Sequence, residues 1–381
     1  MSQAGIGEKW EQPCSALFRL SIALLLCCCS VLLVPQALRS QGAQKGTKGK
    51  TTRTKVVLLG TGTPVPDPDR SGPATAIVVD NSSYLVDFGP GVVRRAKAAV
   101  LHRQIAALEP ANLTVAFATH LHSDHTAGYS DLILTGWTAG RRTPLTVYGP
   151  AGLQSMTDHI LEAYRIDIET RTAPGGDQRA NAEGWKVNAH DIQPGVIYRD
   201  ERVTVTAFPT QHAMESYGYR FDTPDRTIVI SGDTSPTEET IKACSACDVL
   251  IHEARALEMF TRLPEDLRSF GAKNHTTSEQ LAALAVKAKP RLLIVYHAWI
   301  SSWPSVVPSG SQPVVLTTGE FHSSAEVLQK EISSRYSGHF VIGRISTCTD
   351  RSSGNRKWPT IRIVDDRRRL WRSGLWAKMR R

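Results

Sequence analysis

Thr119-His120-Leu121-His122-Ser123-Asp124-His125 places three imidazoles and one carboxylate within six residues, in the pattern His-x-His-x-Asp-His. The apolar run Val115 to Ala118 precedes it and reads as a buried strand. A loop at the carboxyl end of such a strand is where an α/β sheet presents ligand-binding side chains. Neutral imidazole and carboxylate are ordinary zinc donors, so the loop reads as part of a metal site. Three more ligand-type residues end apolar runs: His212 after 202–208, Asp233 after 227–230, and His297 after 292–296. A lone histidine after a strand is usually structural. Three such positions behind the opening motif point instead to one site assembled from several strand ends.

The body alternates strand-like and helix-like pieces. Lys55 to Leu59 reads as a strand ending in the turn-rich loop Gly60-Thr61-Gly62-Thr63-Pro64. Thr75 to Val79 and Ser83 to Val86 flank Asp80-Asn81-Ser82, a hairpin signal. Asp87-Phe88-Gly89-Pro90-Gly91 opens a helix toward Val100. The order recurs in the second half: a strand over 202–208, a hairpin around Pro224-Asp225, short strands at 249–251 and 292–296, and a helix from Ser278 to Lys289. Strands followed by helices, twice over, suggest two β-rich layers face to face with helices outside, a four-layer αββα sandwich; periodicity alone supports an α/β protein with mixed β-sheets. Neither glycine-rich loop carries a Walker Lys-Ser/Thr pair, so both read as tight turns beside the metals. Arg70, in the first loop, either faces an anionic substrate or is solvated.

Taken in order, Gly60-Thr61-Gly62-Thr63-Pro64, the histidine motif, Gln211-His212 with Tyr217-Gly218-Tyr219, Ser231-Gly232-Asp233-Thr234, His252-Glu253-Ala254 and His275-Thr276-Thr277 form a set. This set resembles the metallo-β-lactamase superfamily of hydrolases, within it the ribonuclease Z and arylsulfatase-like branch. The resemblance runs from about Lys55 to about Gly343 and implies the metallo-β-lactamase fold with two zinc ions. By position it implies one zinc on His120, His122 and His212, a second on Asp124, His125 and His297, and Asp233 bridging both. The implied chemistry is ester hydrolysis by a water that two metals share and acidify, with Asp124 orienting or deprotonating that water. His275 would be the general acid at the leaving oxygen, and Glu253 would hold its tautomer and raise its basicity. His252 reads as a packing or supporting residue.

The formal net charge of +9 sits at the two ends. Residues 1–50 carry net +4 and residues 349–381 net +8, which leaves the body 51–348 at −3. Such a body lacks the positive field of most nucleic-acid enzymes. Lys9 and Arg19 precede an apolar run from Leu20 to Val34, whose 15 residues suit a signal-peptide core better than a membrane span. The expected organisation is a signal peptide over 1–42, a linker over 43–54, the hydrolase domain over 55–348 and a basic tail over 349–381. Secretion or periplasmic export follows, or membrane anchoring if the leader stays uncleaved. The tail, with Trp358, Trp371 and Trp376 among its arginines, reads first as a disordered end and second as a contact for anionic lipid or nucleic acid. Cys244 and Cys247 read first as packed small residues and second as a disulfide.

Transfer-RNA-processing members of the resembled family differ from this chain. They carry a Gly/Pro-rich arm between the second and third metal motifs, whereas 149–208 here reads as one helix plus ordinary loops. They follow the last metal histidine with Ser-x-Arg-Tyr, whereas His297 is followed by Ala298-Trp299-Ile300-Ser301-Ser302. The expectation is an exported dinuclear zinc hydrolase of small anionic phosphodiester or sulfate esters, arylsulfatase-like. A ribonuclease Z-type endoribonuclease stands second, with nucleic acid disfavoured by the missing arm. A non-catalytic metal or ligand binder on the same fold stands third. Membrane contact is expected only through the leader or the tail, and no residue pattern announces an oligomeric state.

Overall fold

The structure is a computed structural model that describes residues 53–67, 69–176, 181–300 and 323–343, and the backbone alone of 305–309, 312–316 and 348–349. The leader, most of the linker and the tail beyond Thr349 lie outside the described residues. The first half runs β1 (Thr54–Gly60), β2 (Ala74–Val79), β3 (Ser82–Val86), α1 (Val92–Arg103), β4 (Val115–Phe117), α2 (Ser123–Thr126), α3 (Tyr129–Thr138), β5 (Leu145–Gly149), α4 (Leu153–Ala163), α5 (Arg165–Thr172) and β6 (Val187–Asp191). The second half runs β7 (Gly195–Arg199), β8 (Thr204–Pro209), β9 (Tyr217–Asp222), β10 (Thr227–Ile230), α6 (Glu238–Cys244), β11 (Val249–Glu253), α7 (Leu257–Arg262), α8 (Glu265–Asn274), α9 (Ser278–Ala288) and β12 (Leu293–Tyr296). A hairpin, β13 (Ser305–Ser309) and β14 (Gln312–Leu316), precedes α10 (Ala325–Ser333), β15 (Phe340–Ile342) and β16 (Cys348–Thr349).

Two seven-stranded sheets result, ordered β16-β1-β2-β3-β4-β5-β6 and β15-β12-β11-β10-β9-β8-β7. Each begins as an antiparallel meander (β1 to β3, β7 to β10) and continues as parallel strands joined through helices. Alternating side chains serve different cores. In β1, Val57 and Leu59 face the helical layer with α1, whereas Val56 and Leu58 face the second sheet. In β12, Ile294 and Tyr296 point between the sheets and Leu293 and Val295 toward α9 and α10. A strand buried on both faces must read as continuously apolar, and these do. The helix starts are locally encoded: Thr277 and Gln280 form a capping box at α9, and Thr237 and Ser324 cap α6 and α10. The expected αββα sandwich is therefore the observed fold.

The structure departs from the sequence reading in three places. The interval 149–208 holds two helices, α4 and α5, and two edge strands, β6 and β7, rather than one helix and loops. As edge strands both are partly exposed; β6, Val187-Asn188-Ala189-His190-Asp191, is mostly polar, and β7, Gly195-Val196-Ile197-Tyr198-Arg199, is a short run without alternation. Cys244 and Cys247 are both buried, as packed small residues would be, but they are joined as a disulfide at the end of α6. Arg70 is neither solvated nor aimed at a substrate. It is half-buried and donates to the carbonyls of Ala298, Ile300 and Thr61, tying the first loop to the chain after His297. No helix among the described residues is long and apolar enough to cross a membrane.

Phe117 ends β4 just ahead of the histidine loop. It stacks on Tyr148 at 5.4 Å and meets Phe221 edge-on at 5.5 Å across the sheet interface. Phe117→Ala should cost about 3–5 kcal/mol of stability, read by chemical denaturation, and Phe117→Leu, which keeps most of the volume, clearly less.

Candidate metal centre

The carboxyl ends of the strands converge on one edge of the sandwich. β4 delivers the histidine loop, β8 is followed by His212, β10 by Asp233, β11 ends at Glu253, and β12 is followed by His297. His120 Nε2 lies 2.9 Å from His122 Nδ1, which lies 3.1 Å from His212 Nε2. A second group gathers Asp124, His125 and His297: Asp124 Oδ2 is 3.6 Å from both His125 Nε2 and His297 Nε2. Asp233 stands between them, with Oδ1 3.4 Å from His125 Nε2 and Oδ2 3.0 Å from His297 Nε2. All seven residues picked out by sequence are brought together, and six of them are buried; His122 is half-buried.

Hydrogen bonds on the far side of the rings decide which nitrogen faces inward. Asp87 accepts from the Thr119 backbone N–H at 2.8 Å and from its hydroxyl at 3.0 Å. Thr119 Oγ1, its proton committed to Asp87, accepts from His120 Nδ1 at 3.0 Å. His125 Nδ1 donates to the other Asp87 oxygen at 2.9 Å, and His212 Nδ1 donates to the Asn274 carbonyl at 2.9 Å. His297 Nδ1 donates to the Gly62 carbonyl. Each ring is thus set to turn a bare Nε2 lone pair toward the others. Asp124 Oδ2, His125 Nε2 and Asp233 Oδ1 are buried and without a hydrogen-bond partner. Lone pairs and carboxylate oxygens 3–4 Å apart repel unless positive charge lies among them. The donor set therefore fits divalent metal, with nitrogen and oxygen donors of the type zinc takes.

The electrostatics agree. Burial pushes His120 well below the ordinary imidazole value, and His125 adds to it. Burial also lowers His122 and His212. For Asp233, burial opposes ionisation but is outweighed by His297 and His125, so the carboxylate stays ionised far below its usual range. His125 and His297 are raised: burial works against their charge, and Asp233 overrides it. The neutral imidazoles of His120, His122 and His212 and the ionised Asp233 are in the states that metal binding requires, whereas His125 and His297 must give up the proton that Asp233 favours when metal enters.

His275 and Glu253 lie against this cluster as a buried pair, His275 Nδ1 to Glu253 Oε1 at 2.8 Å. The same oxygen accepts from the Thr234 backbone N–H at 2.8 Å. His275 Nδ1 is 3.8 Å from Asp233 Oδ2. Burial lifts Glu253 to about 8, with Asp233 adding to it. His275 is lowered to about 3 by burial and then by Arg255. Glu253 thus orients the ring, and the expected gain in basicity is outweighed. His252 is fully buried with Nδ1 on the Glu253 carbonyl at 2.8 Å, a supporting position.

Sequence reasoning passed over Asp87, Gly232 and Arg255. Asp87 ends β3 as Asp233 ends β10, so the same strand-end signal was present there. Gly232 has φ 65, and a Cβ there would lie 2.7 Å from Thr119 Cβ, so only glycine lets β10 turn beneath the histidine loop. Arg255 carries no motif and emerges only from its surroundings. Asp87→Asn removes one acceptor and the charge holding both Thr119 and His125. Metal affinity should fall about 10–100-fold with the fold retained, measured by competition with a chromophoric chelator alongside circular dichroism.

Comparison with known proteins places this arrangement. Residues 83–298 match a family model described as a beta-lactamase superfamily domain. Ribonuclease Z of Mycobacterium bovis (strain BCG) is 30% identical over 248 residues, 64% of this chain and 85% of the relative. Ribonuclease Z of Mycolicibacterium gilvum is 32% identical over 249 residues, 64% and 83% of the two chains. Among solved structures, the metallo-beta-lactamase fold protein YhfI from Bacillus subtilis superposes with TM-score 0.54 at 19% identity over 78% of this chain and 99% of that one. Human tRNase Z, short form, gives TM-score 0.53 at 20% identity over 78% and 98%. At such identities the structural likeness is one of fold. The family match and the ribonuclease Z relatives together show that the chain belongs to the metallo-β-lactamase superfamily of metal-dependent hydrolases.

Proposed function

We propose that this protein is a dinuclear zinc-dependent phosphodiesterase of the ribonuclease Z type, acting on RNA. The observation that carries this reading is the buried His275–Glu253 pair set against the metal-binding cluster, in a chain whose curated relatives are ribonuclease Z enzymes. The metal ligands would be His120, His122 and His212 in one group, Asp124, His125 and His297 in the other, with Asp233 shared. Two bound zinc ions would supply a nucleophile at neutral pH and offset charge at the attacked phosphoryl group.

The chain's own residues supply the rest. Asp124 sits where it can take a proton from an attacking water. Glu253, itself held by the Thr234 N–H, fixes the His275 ring through Nδ1 and turns Nε2 to the leaving oxygen; burial holds the free ring neutral, so it can donate a proton there only once the anionic substrate favours a second proton on it. Phe270 is 47% exposed with its ring 6.3 Å from that of His275, which offers a nucleobase a stacking face at the mouth. The body's net charge of −3 favours recognition by groups at the site over a broad basic surface. A sulfate ester has the shape to enter the same site, but the relatives weigh for phosphodiester. Export and the tail's role remain expectations from residues outside those described.

Purified protein should carry about two zinc ions per chain and cleave precursor transfer RNA or single-stranded RNA. Faster turnover of p-nitrophenyl sulfate than of bis-p-nitrophenyl phosphate would overturn the phosphodiester assignment. His275→Ala should lower kcat about 10²–10⁴-fold with zinc content unchanged, whereas a non-catalytic binder would show no turnover to lose. Phe270→Ala should raise KM for RNA about 5–100-fold with kcat little altered.

A further inference from the structure

We infer that Arg255 is the phosphate-recognition residue of this site, presenting its guanidinium to the non-bridging oxygens of the substrate's phosphoryl group. The inference rests on the phosphodiesterase reading and assigns a residue that the histidine and carboxylate motifs leave out. Arg255 follows β11, two residues beyond Glu253. Its backbone N–H donates to the Thr276 carbonyl at 2.9 Å, and its own carbonyl accepts from Ser278 at 2.8 Å. The residue is therefore fixed to the segment that carries His275.

The side chain is unusual in what it lacks. Arg255 is 5% exposed, yet its Nε has no hydrogen-bond partner, and no carboxylate lies within ion-pair distance among the described residues. Arg141, the other arginine buried to this degree, donates to the carbonyls of Leu113, Leu132, Ile133 and Gly184, and the half-buried Arg70 to three carbonyls; the half-buried Arg103 and Arg202 also leave an Nε without a partner, but Arg255 is the one of the three that is almost fully buried. Buried polar groups are as a rule paired, and a guanidinium offers five donors in a rigid fork. Its guanidinium instead lies over the Trp299 ring, with Cζ 4.4 Å from the ring centre. A stacked guanidinium keeps its edge free and pre-oriented for two oxygens of a phosphate.

Its place in the site supports the same role. Glu253 and Asp233 are the charges that most favour its ionisation against burial, and its own charge is the chief electrostatic influence lowering His275. The backbone geometry agrees: Arg255 lies two residues after Glu253 and pairs with Thr276 and Thr277, which directly follow His275. Asp87, Asp124, Asp233 and Glu253 surround the reaction edge with carboxylates, which an anionic ester must approach. The loop after His297 supplies no cation of its own from Ala298 to Trp303, but it supplies the tryptophan on which Arg255 rests.

The test uses zinc-loaded full-length protein and the variants Arg255→Lys and Arg255→Met, with zinc content and Tm measured for each. Inorganic phosphate is titrated calorimetrically. Its Kd should weaken at least about tenfold in Arg255→Met and by less in Arg255→Lys, since lysine keeps charge but not the fork. In parallel, the kcat/KM ratio of bis-p-nitrophenyl phosphate over neutral p-nitrophenyl acetate should fall about tenfold or more in Arg255→Met, through KM. Unchanged phosphate affinity in both variants, no phosphate binding by the wild type, or equal losses on the two esters would overturn the assignment. If the Met variant fails to fold, Arg255→Lys decides alone: its phosphate Kd must weaken while its Tm holds. The phosphate titration does not depend on RNA cleavage, so a protein that binds phosphate through Arg255 but cuts no RNA would sink the nuclease reading and leave this one standing.

Discussion

The carboxylate of Asp87 is the contact on which the site depends. With one oxygen it holds the backbone and hydroxyl of Thr119, and with the other it holds His125. The two ends of the His-x-His-x-Asp-His loop are thereby fixed to β3, and the rings of His120 and His125 are turned with Nε2 inward. Bringing several bare nitrogens and two carboxylates into a buried space is costly without positive charge among them. A scaffold that imposes this arrangement has been shaped around metal. Asp87 itself adopts φ 62, a left-handed conformation uncommon for a non-glycine residue and typical of places where function fixes the backbone.

The second sheet completes the site from the opposite side by the same device. β10, β11 and β12 run parallel, so their carboxyl ends reach one edge together and present Asp233, Glu253 and His297 in a row. His297 adopts φ 48 and is tied through Nδ1 to Gly62 in the first loop. Arg70 reinforces that connection by bonding the carbonyls on both sides of it. The site is therefore a seam between two sheets, rigid because each half carries hydrogen bonds that the other half needs.

Most of the site was legible from single residues. Each ligand-type side chain follows an apolar run, and short runs buried on both faces are hard to mistake. Asp87 satisfied the same criterion but was absorbed into a turn-rich segment, Asp87-Phe88-Gly89-Pro90-Gly91, that reads as a helix start. The strand β6 was illegible because an edge strand with exposed polar residues has neither the alternation nor the continuity that marks a core strand, and β7 because its apolar run is only Val196-Ile197-Tyr198. Arg70 and Arg255 could not be told apart along the chain. One is bound to three carbonyls and the other lies over a tryptophan 44 positions away, and no local pattern encodes either fate.

By itself, the sequence determined the αββα architecture, the identity of the seven ligand-type residues and the pairing of a histidine with an acid, because burial patterns and donor chemistry are written residue by residue. The tertiary structure decided which nitrogen of each ring faces inward, that Asp233 stands between two groups, and that Arg255 Nε is buried without a hydrogen-bond partner among the described residues. Those outcomes depend on hydrogen bonds and contacts between segments as far apart as Gly62 and His297. Such contacts exist only once the two sheets have closed on each other.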